Sequence, residues 1–179
     1  NDRLDVAKIE EGKFGYHFNE TDLTEFIQGL VEELKLVAEK YGIKIIFSSR
    51  ENYSLKFDRE KIAIVLTNLI DNAIKYNTKN GSVSIVLSNS PDSQFVKIEI
   101  RDTGVGVPKE EIAKLFSKFY RGTNIVQLEP NGSGLGLYIV QNVVLRHGGN
   151  VGVDSIIGRG STFWFTLPLN PFLIPSKEV

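Results

Sequence analysis

An aspartate at the end of a strand, followed at once by Thr-Gly-Val-Gly-Val-Pro, has the parts of a purine reader. In Asp102–Pro108 the carboxylate follows an alternating stretch, Val96-Lys-Ile-Glu-Ile100, and precedes a helix that Pro108 suits as first residue. Gly104 and Gly106 let the backbone turn tightly and let a flat ligand approach. A carboxylate in such a crevice accepts hydrogen bonds from the exocyclic amine of adenine. Guanine presents a carbonyl there, which an anion repels. The same letters also suit a plain strand-to-helix turn, because Asp tolerates turns.

A second set of candidates lies in Leu66-Thr-Asn-Leu-Ile-Asp-Asn-Ala-Ile-Lys-Tyr-Asn77. Ile62, Leu66, Leu69 and Ala73 form a core stripe at helical spacing. Asn68 and Asn72 are one turn apart and Lys75 follows, so the three share another face. Two amides on an otherwise apolar helix either cap loops and face water, or serve a ligand. An Asn72 carbonyl oxygen suits Mg²⁺, which takes few protein ligands beside substrate phosphates. Lys75 suits phosphate charge, and Tyr76 suits stacking on a base.

A third set is Asn131-Gly-Ser-Gly-Leu-Gly-Leu137, immediately before a helix. Unpaired amides at a helix start make an anion site, and glycines allow close approach. The segment lacks the Gly-Lys-Ser/Thr of a Walker loop and no clear βαβ unit surrounds it. A flexible hinge would read the same way. Between these sets, Leu115-Phe-Ser-Lys-Phe-Tyr-Arg-Gly122 carries core-like aromatics and an arginine, Arg121, able to swing onto a terminal phosphate. His17 falls in an expected strand near an edge. His147 falls at a helix end, where the dipole accounts for it. Both are taken as structural.

These residues need a scaffold, and 179 residues with 41% hydrophobic content suffice for one domain with a real core. The formal net charge of -1 leaves no footprint for nucleic acid or an acidic membrane. No apolar run approaches the roughly 20 residues of a bilayer span, and no signal peptide is visible. The absence of cysteine excludes disulfides and thiol chemistry, and two distant histidines make a zinc site a poor fit. A chain without methionine is expected to be a piece of a longer protein.

The periodicities predict a helix tail over 1–10, a short strand over 14–18 and a helix capped by Thr21-Asp22 and stopped at Gly42. Strands follow at 43–47 and 55–57, and Asp58 caps a long helix to about Tyr76. Strands at 82–88 and 95–102 flank a polar hairpin. A short helix is expected over 108–116, a lid loop over 120–131, a helix over 133–146 and strands at 150–154 and 161–167. The tail from Asn170 is expected to be loose. The order predicts an α/β two-layer sandwich with a mixed, mostly antiparallel sheet and helices on one face.

Four motifs in this order resemble the N, G1, F and G2 boxes of sensor histidine kinases: 68–77, 102–108, 116–121 and 132–137. The resemblance covers about residues 15–168. It implies the Bergerat-type ATP-binding fold shared with gyrase, MutL and a heat-shock chaperone family. Residues 4–13 resemble the end of the dimerisation helix that precedes this domain. The implied division is therefore 1–13 as helix end and linker, 14–169 as catalytic domain and 170–179 as tail. The implied ligands are ATP or ADP with Mg²⁺. Asp102 would bind the adenine amine. Asn72 would hold Mg²⁺, with Asn68 supporting metal or phosphates. Lys75 and Tyr76 would meet phosphate and adenine. Gly104, Gly106 and Val107 would shape the base pocket. Gly132, Ser133, Gly134, Leu135, Gly136 and Leu137 would hinge the lid and bind phosphates. Phe116 and Phe119 would anchor the lid, with Arg121 near the γ-phosphate.

Hydrolytic relatives carry a glutamate four residues before the metal asparagine, where this chain has Asn68. An amide is no general base, so the γ-phosphate should pass to an outside nucleophile rather than to water. The resemblance implies a histidine on an upstream dimerisation and phosphoacceptor domain, and a response regulator beyond it. The alternative is a nucleotide-gated switch or degenerate ATP-binding module without transfer. A monomeric, cytoplasmic fragment with no nucleic-acid partner and no direct membrane contact is expected, whether or not its parent is membrane-anchored.

Overall fold

The two longest helices each start where an aspartate is ready to cap them. Asp22 Oδ1 accepts from the Glu25 amide at 2.9 Å, and Asp58 Oδ1 accepts from the Lys61 amide at 3.0 Å. The computed structural model describes residues 1–128 and 131–176. In chain order these form α1 (Asp2–Glu10), β1 (Asn19–Asp22), α2 (Leu23–Lys40), β2 (Lys44–Ser49), β3 (Ser54–Phe57) and α3 (Arg59–Lys75). Then come β4 (Ser82–Asn89), β5 (Phe95–Asp102), α4 (Thr123–Leu128), α5 (Gly136–Arg146), β6 (Val151–Ile156) and β7 (Gly160–Pro168). Short 3-10 turns span Lys109–Lys114 and Pro171–Leu173.

The main sheet has the order β2-β4-β5-β7-β6. β2 runs parallel to β4 and every other pair is antiparallel. β1 and β3 make a separate antiparallel pair. Alternation puts Val83, Ile85, Leu87, Val96, Ile98, Ile100, Phe165 and Leu167 on one face, all buried. Against them lie the apolar stripes of α2, α3 and α5, including Ile27, Leu66, Leu69, Ile70, Ile139 and Val143. The other face is polar where it meets water: Arg101 pairs with Glu99, and Lys97 lies over the Trp164 ring at 5.0 Å. This is the expected two-layer sandwich with helices on one face.

Four expectations need correction. Residues 14–18 are not a strand; Tyr16 and Phe18 stack instead on each other and pack beside His147 and Arg146. Their alternation serves aromatic packing, and pairing begins only at Asn19. Pro108 stands one residue before its helical turn, at ψ 138°, and that turn is 3-10. The expected loop at 120–131 contains α4, although 129–130 lie outside the described residues. The tail to Ser176 is tied down: Arg146 Nη1 donates to the Pro175 carbonyl at 2.7 Å. Residues 177–179 lie outside the described residues.

His147 is structural as expected, for another reason. Its Nδ1 meets the Val143 carbonyl at 2.8 Å, and its Nε2 accepts from the Asp58 amide at 3.1 Å. Burial pulls its pKa from 6.5 to about 4, so the ring is neutral and carries its proton on Nδ1. It ties the end of α5 to the start of α3 instead of answering a helix dipole as a cation.

Candidate functional site

α3, the loop after β5 and the start of α5 converge on one cavity of about 370 Å³. Asp102 closes β5 at its wall. Its Oδ1 accepts from the Gly104 amide at 2.8 Å and the Ser161 amide at 3.1 Å. Among the described residues no hydrogen bond reaches Oδ2, which leaves that oxygen for a ligand. Burial pushes the carboxyl above the ordinary aspartate range, while the two amide bonds pull the other way.

The glycines of this loop serve the protein's own packing more than ligand access. A Cβ on Gly104 would lie 2.4 Å from the Tyr76 carbonyl oxygen. One on Gly106, at φ +73°, would lie 2.3 Å from the Ile156 carbonyl oxygen. Gly106 and the buried Val107 line the cavity, whereas Gly104 sits behind Asp102.

α3 turns its polar edge to the same space. Asn68 Nδ2 donates back to the Ile64 carbonyl at 3.0 Å, which aims Oδ1 at Gly136; a Cβ there would come within 2.8 Å of it. Asn72, one turn on, makes no side-chain hydrogen bond among the described residues and lines the cavity. Lys75 and Tyr76 line it too. The Lys75 ammonium already sits 2.9 Å from Asp71, whose hydrogen bond holds it above the usual lysine range.

α5 begins at Gly136 with no side-chain cap, unlike α2 and α3. Its first amides therefore open toward Gly132–Leu137, whose Gly132, Ser133, Gly134, Gly136 and Leu137 line the cavity. Leu135 does not; it is buried in the core. Ser133 Oγ accepts from the Leu135 amide and donates to Asp2 Oδ2 at 3.0 Å. Thus α1, with Val6 and Ile9 buried in the core, reaches the edge of the site.

The segment between the glycine loops departs most from expectation. Phe119 does not anchor it: its φ is +68°, the residue is 61% exposed and it stays out of the cavity. Its amide donates to the Gly134 carbonyl at 2.9 Å, and that turn throws the ring outward. Phe116, the other expected anchor, does pack, edge-on to Phe163 at 6.4 Å, and the buried Leu115 joins it. Arg121 does line the cavity, with its guanidinium against Gly132, where a Cβ would lie 2.8 Å from Nη2. Sequence reasoning missed Ser161, Ile125 and Phe163 as lining residues and Asn124 as a tie to the Gly106 carbonyl at 2.9 Å. Ser161 was findable from strand pairing, since β7 runs beside β5; α4 gave no signal.

The family model described as histidine kinase-, DNA gyrase B-, and HSP90-like ATPase matches residues 57–171. The chain belongs to that family. It is 30% identical to the sensor histidine kinase WalK of Bacillus subtilis over 94% of this chain and 28% of WalK. The chain thus spans little more than a quarter of that relative. The nucleotide-free catalytic domain of histidine kinase ThkA superposes with TM-score 0.76 at 28% identity, covering 88% of this chain and 99% of ThkA's. Full-length ShkA in complex with AMPPNP gives 0.81 at 27%, over 96% of this chain and 36% of ShkA. The resemblance read from the four boxes holds: this is an ATP-binding catalytic domain of the sensor histidine kinase type. No described helix is long and apolar enough to cross a membrane.

Proposed function

We propose that this domain binds Mg-ATP and presents the γ-phosphate to a histidine on an upstream dimerisation and phosphoacceptor domain, from which a response regulator takes it. One observation carries the reading. A single cavity has an aspartate with an unengaged oxygen on one wall and an uncapped, glycine-rich helix start on another, with Asn72 on a third.

Asp102 Oδ2 accepts from the adenine amine while the Gly104 and Ser161 amides fix the carboxylate. Amides of the Gly132–Leu137 loop and the first turn of α5 receive the phosphates. Arg121 meets the terminal phosphate, and Lys75 leaves Asp71 for phosphate when nucleotide arrives. Among the described residues no cluster of three or more His, Cys, Asp or Glu suits a metal ion. The donor type present is a carboxamide oxygen, Asn72, supported by Asn68; this fits Mg²⁺ carried in on phosphates. Bound there, Mg²⁺ would neutralise phosphate charge and orient the γ-phosphoryl group. Transfer breaks the bond from the γ-phosphorus to its bridging oxygen, forms a phosphorus–nitrogen bond to imidazole and releases ADP.

Asn68 cannot activate water, so positioning and charge do the catalysis. Neither histidine of the chain fits the acceptor role: His147 is buried with both ring nitrogens engaged, and His17 lies outside the cavity. Use of ATP supports a cytoplasmic location for the domain. Calorimetry with ATP and GTP tests the recognition step; the expected outcome is ATP uptake with GTP strongly disfavoured. Equal uptake of GTP, or none of either, removes the reading. Radiolabelled Mg-ATP mixed with this domain and its own upstream domain should label a histidine, and a nucleotide-dependent change without label would favour the gated-switch alternative.

A further inference from the structure

α4 is six residues long, too short to persist by itself. Its first amide is satisfied from elsewhere. Glu111, in the 3-10 turn Lys109–Lys114, is 8% exposed and turns its carboxylate inward. Oε1 accepts from the Tyr120 hydroxyl at 2.8 Å and from the Thr123 amide at 2.9 Å, and Oε2 accepts from the Thr123 hydroxyl at 3.3 Å. These bonds hold the carboxyl below the usual glutamate range, the Thr123 amide first.

The two residues it grips bracket Arg121 and Gly122, and Tyr120, Arg121 and Gly122 all line the cavity. One carboxylate therefore fixes both ends of the short span that carries the arginine. We propose that Glu111 is a positioning residue for nucleotide binding: it clamps Tyr120 and Thr123 and so holds Arg121 where it meets the terminal phosphate. Asn124, gripping the Gly106 carbonyl, steadies the other side of the same helix. A negative group at the start of α4 also suits that helix end. The inference rests on the ATP reading above and adds to it a residue outside the four motifs.

The test is calorimetric binding of ATP and ADP to the intact chain, with circular dichroism to confirm folding. Glu111→Ala should weaken ATP about tenfold, the usual scale for a misplaced charge-assisted contact. It should change ADP less than about twofold, since ADP lacks the phosphate that Arg121 would meet. Arg121→Ala should show the same pattern, and the double variant should be no weaker than Arg121→Ala alone. Glu111→Gln, which keeps one acceptor oxygen, should recover part of the loss. Equal losses for ATP and ADP, additive losses in the double variant, or no effect of Glu111→Ala would overturn the inference while leaving wild-type ATP binding, and the reading beneath it, intact. Failure of the wild type to bind ATP would overturn both. Should Glu111→Ala unfold, the Glu111→Gln comparison with ATP and ADP decides alone: a selective ATP loss supports the clamp and a uniform one ends it.

Discussion

At the scale of single residues, Asp102 carries the most. Asp102→Asn keeps the shape and one acceptor oxygen but removes the charge that, on the proposed reading, rejects guanine. It should cost roughly 1.5–3 kcal/mol of ATP affinity, the usual worth of a hydrogen bond to a charged group. Calorimetry showing unchanged affinity would end that role. Burial raises the Asp102 pKa, so as pH falls the carboxylate gains its proton before an ordinary aspartate would, and ATP affinity should fall at a correspondingly higher pH. Asn72→Ala should abolish the Mg²⁺ dependence of ATP binding; dependence that survives reassigns the metal ligand. Residues such as these were legible because their types are costly where they sit. An acid ending an apolar strand, or two amides on an apolar helix, ask for a reason. Glu111 asked for none: in Lys109-Glu-Glu it reads as a solvated face, and only the fold turns it inward.

At the scale of elements, long periodic segments were plain and short ones were not. Asp58 and the stripe from Ile62 announce α3, and the alternation of Phe95–Asp102 gives β5 to the residue. α4 and the 14–18 segment lack that signal because tertiary contacts decide them: a carboxylate from another turn in one case, and an aromatic group around Arg146 in the other. His147 joins two elements through a neutral ring, and this gives stability a pH dependence. Its folded pKa, about 4, lies below the ordinary histidine value of 6.5. The stabilisation is therefore complete above the unfolded value and is lost as pH falls from about 6.5 toward 4, amounting to at most about 3 kcal/mol. Urea unfolding across that range should show the decline, and His147→Gln should give a lower but flatter curve. Parallel slopes for the two proteins would mean that other groups govern the acid response.

At the scale of the whole molecule, the question is what α1 does to the site it touches. The sequence suggested only that 1–13 ends a helix belonging to an upstream domain. In the structure Val6 and Ile9 pack into the same core as α5, and Asp2 lines the nucleotide cavity while taking a hydrogen bond from Ser133. Glu10 at the far end of α1 pairs with Lys118, in the segment that leads to α4. If the Gly132–Leu137 loop receives phosphates as proposed, an acid hydrogen-bonded to Ser133 of that loop repels them, because like charges at a wet surface still interact measurably. Asp2→Asn should therefore tighten ATP about threefold at low ionic strength and leave adenosine unchanged. The gain should shrink as salt rises and the Debye length falls from about 30 Å at 0.01 M to about 8 Å at 0.15 M. By reciprocity, whatever factor docked α1 costs ATP affinity, bound ATP costs α1 docking. A gain that ignores salt, or one that adenosine shares, would mean Asp2 acts through packing or shape, and the charge argument would fall.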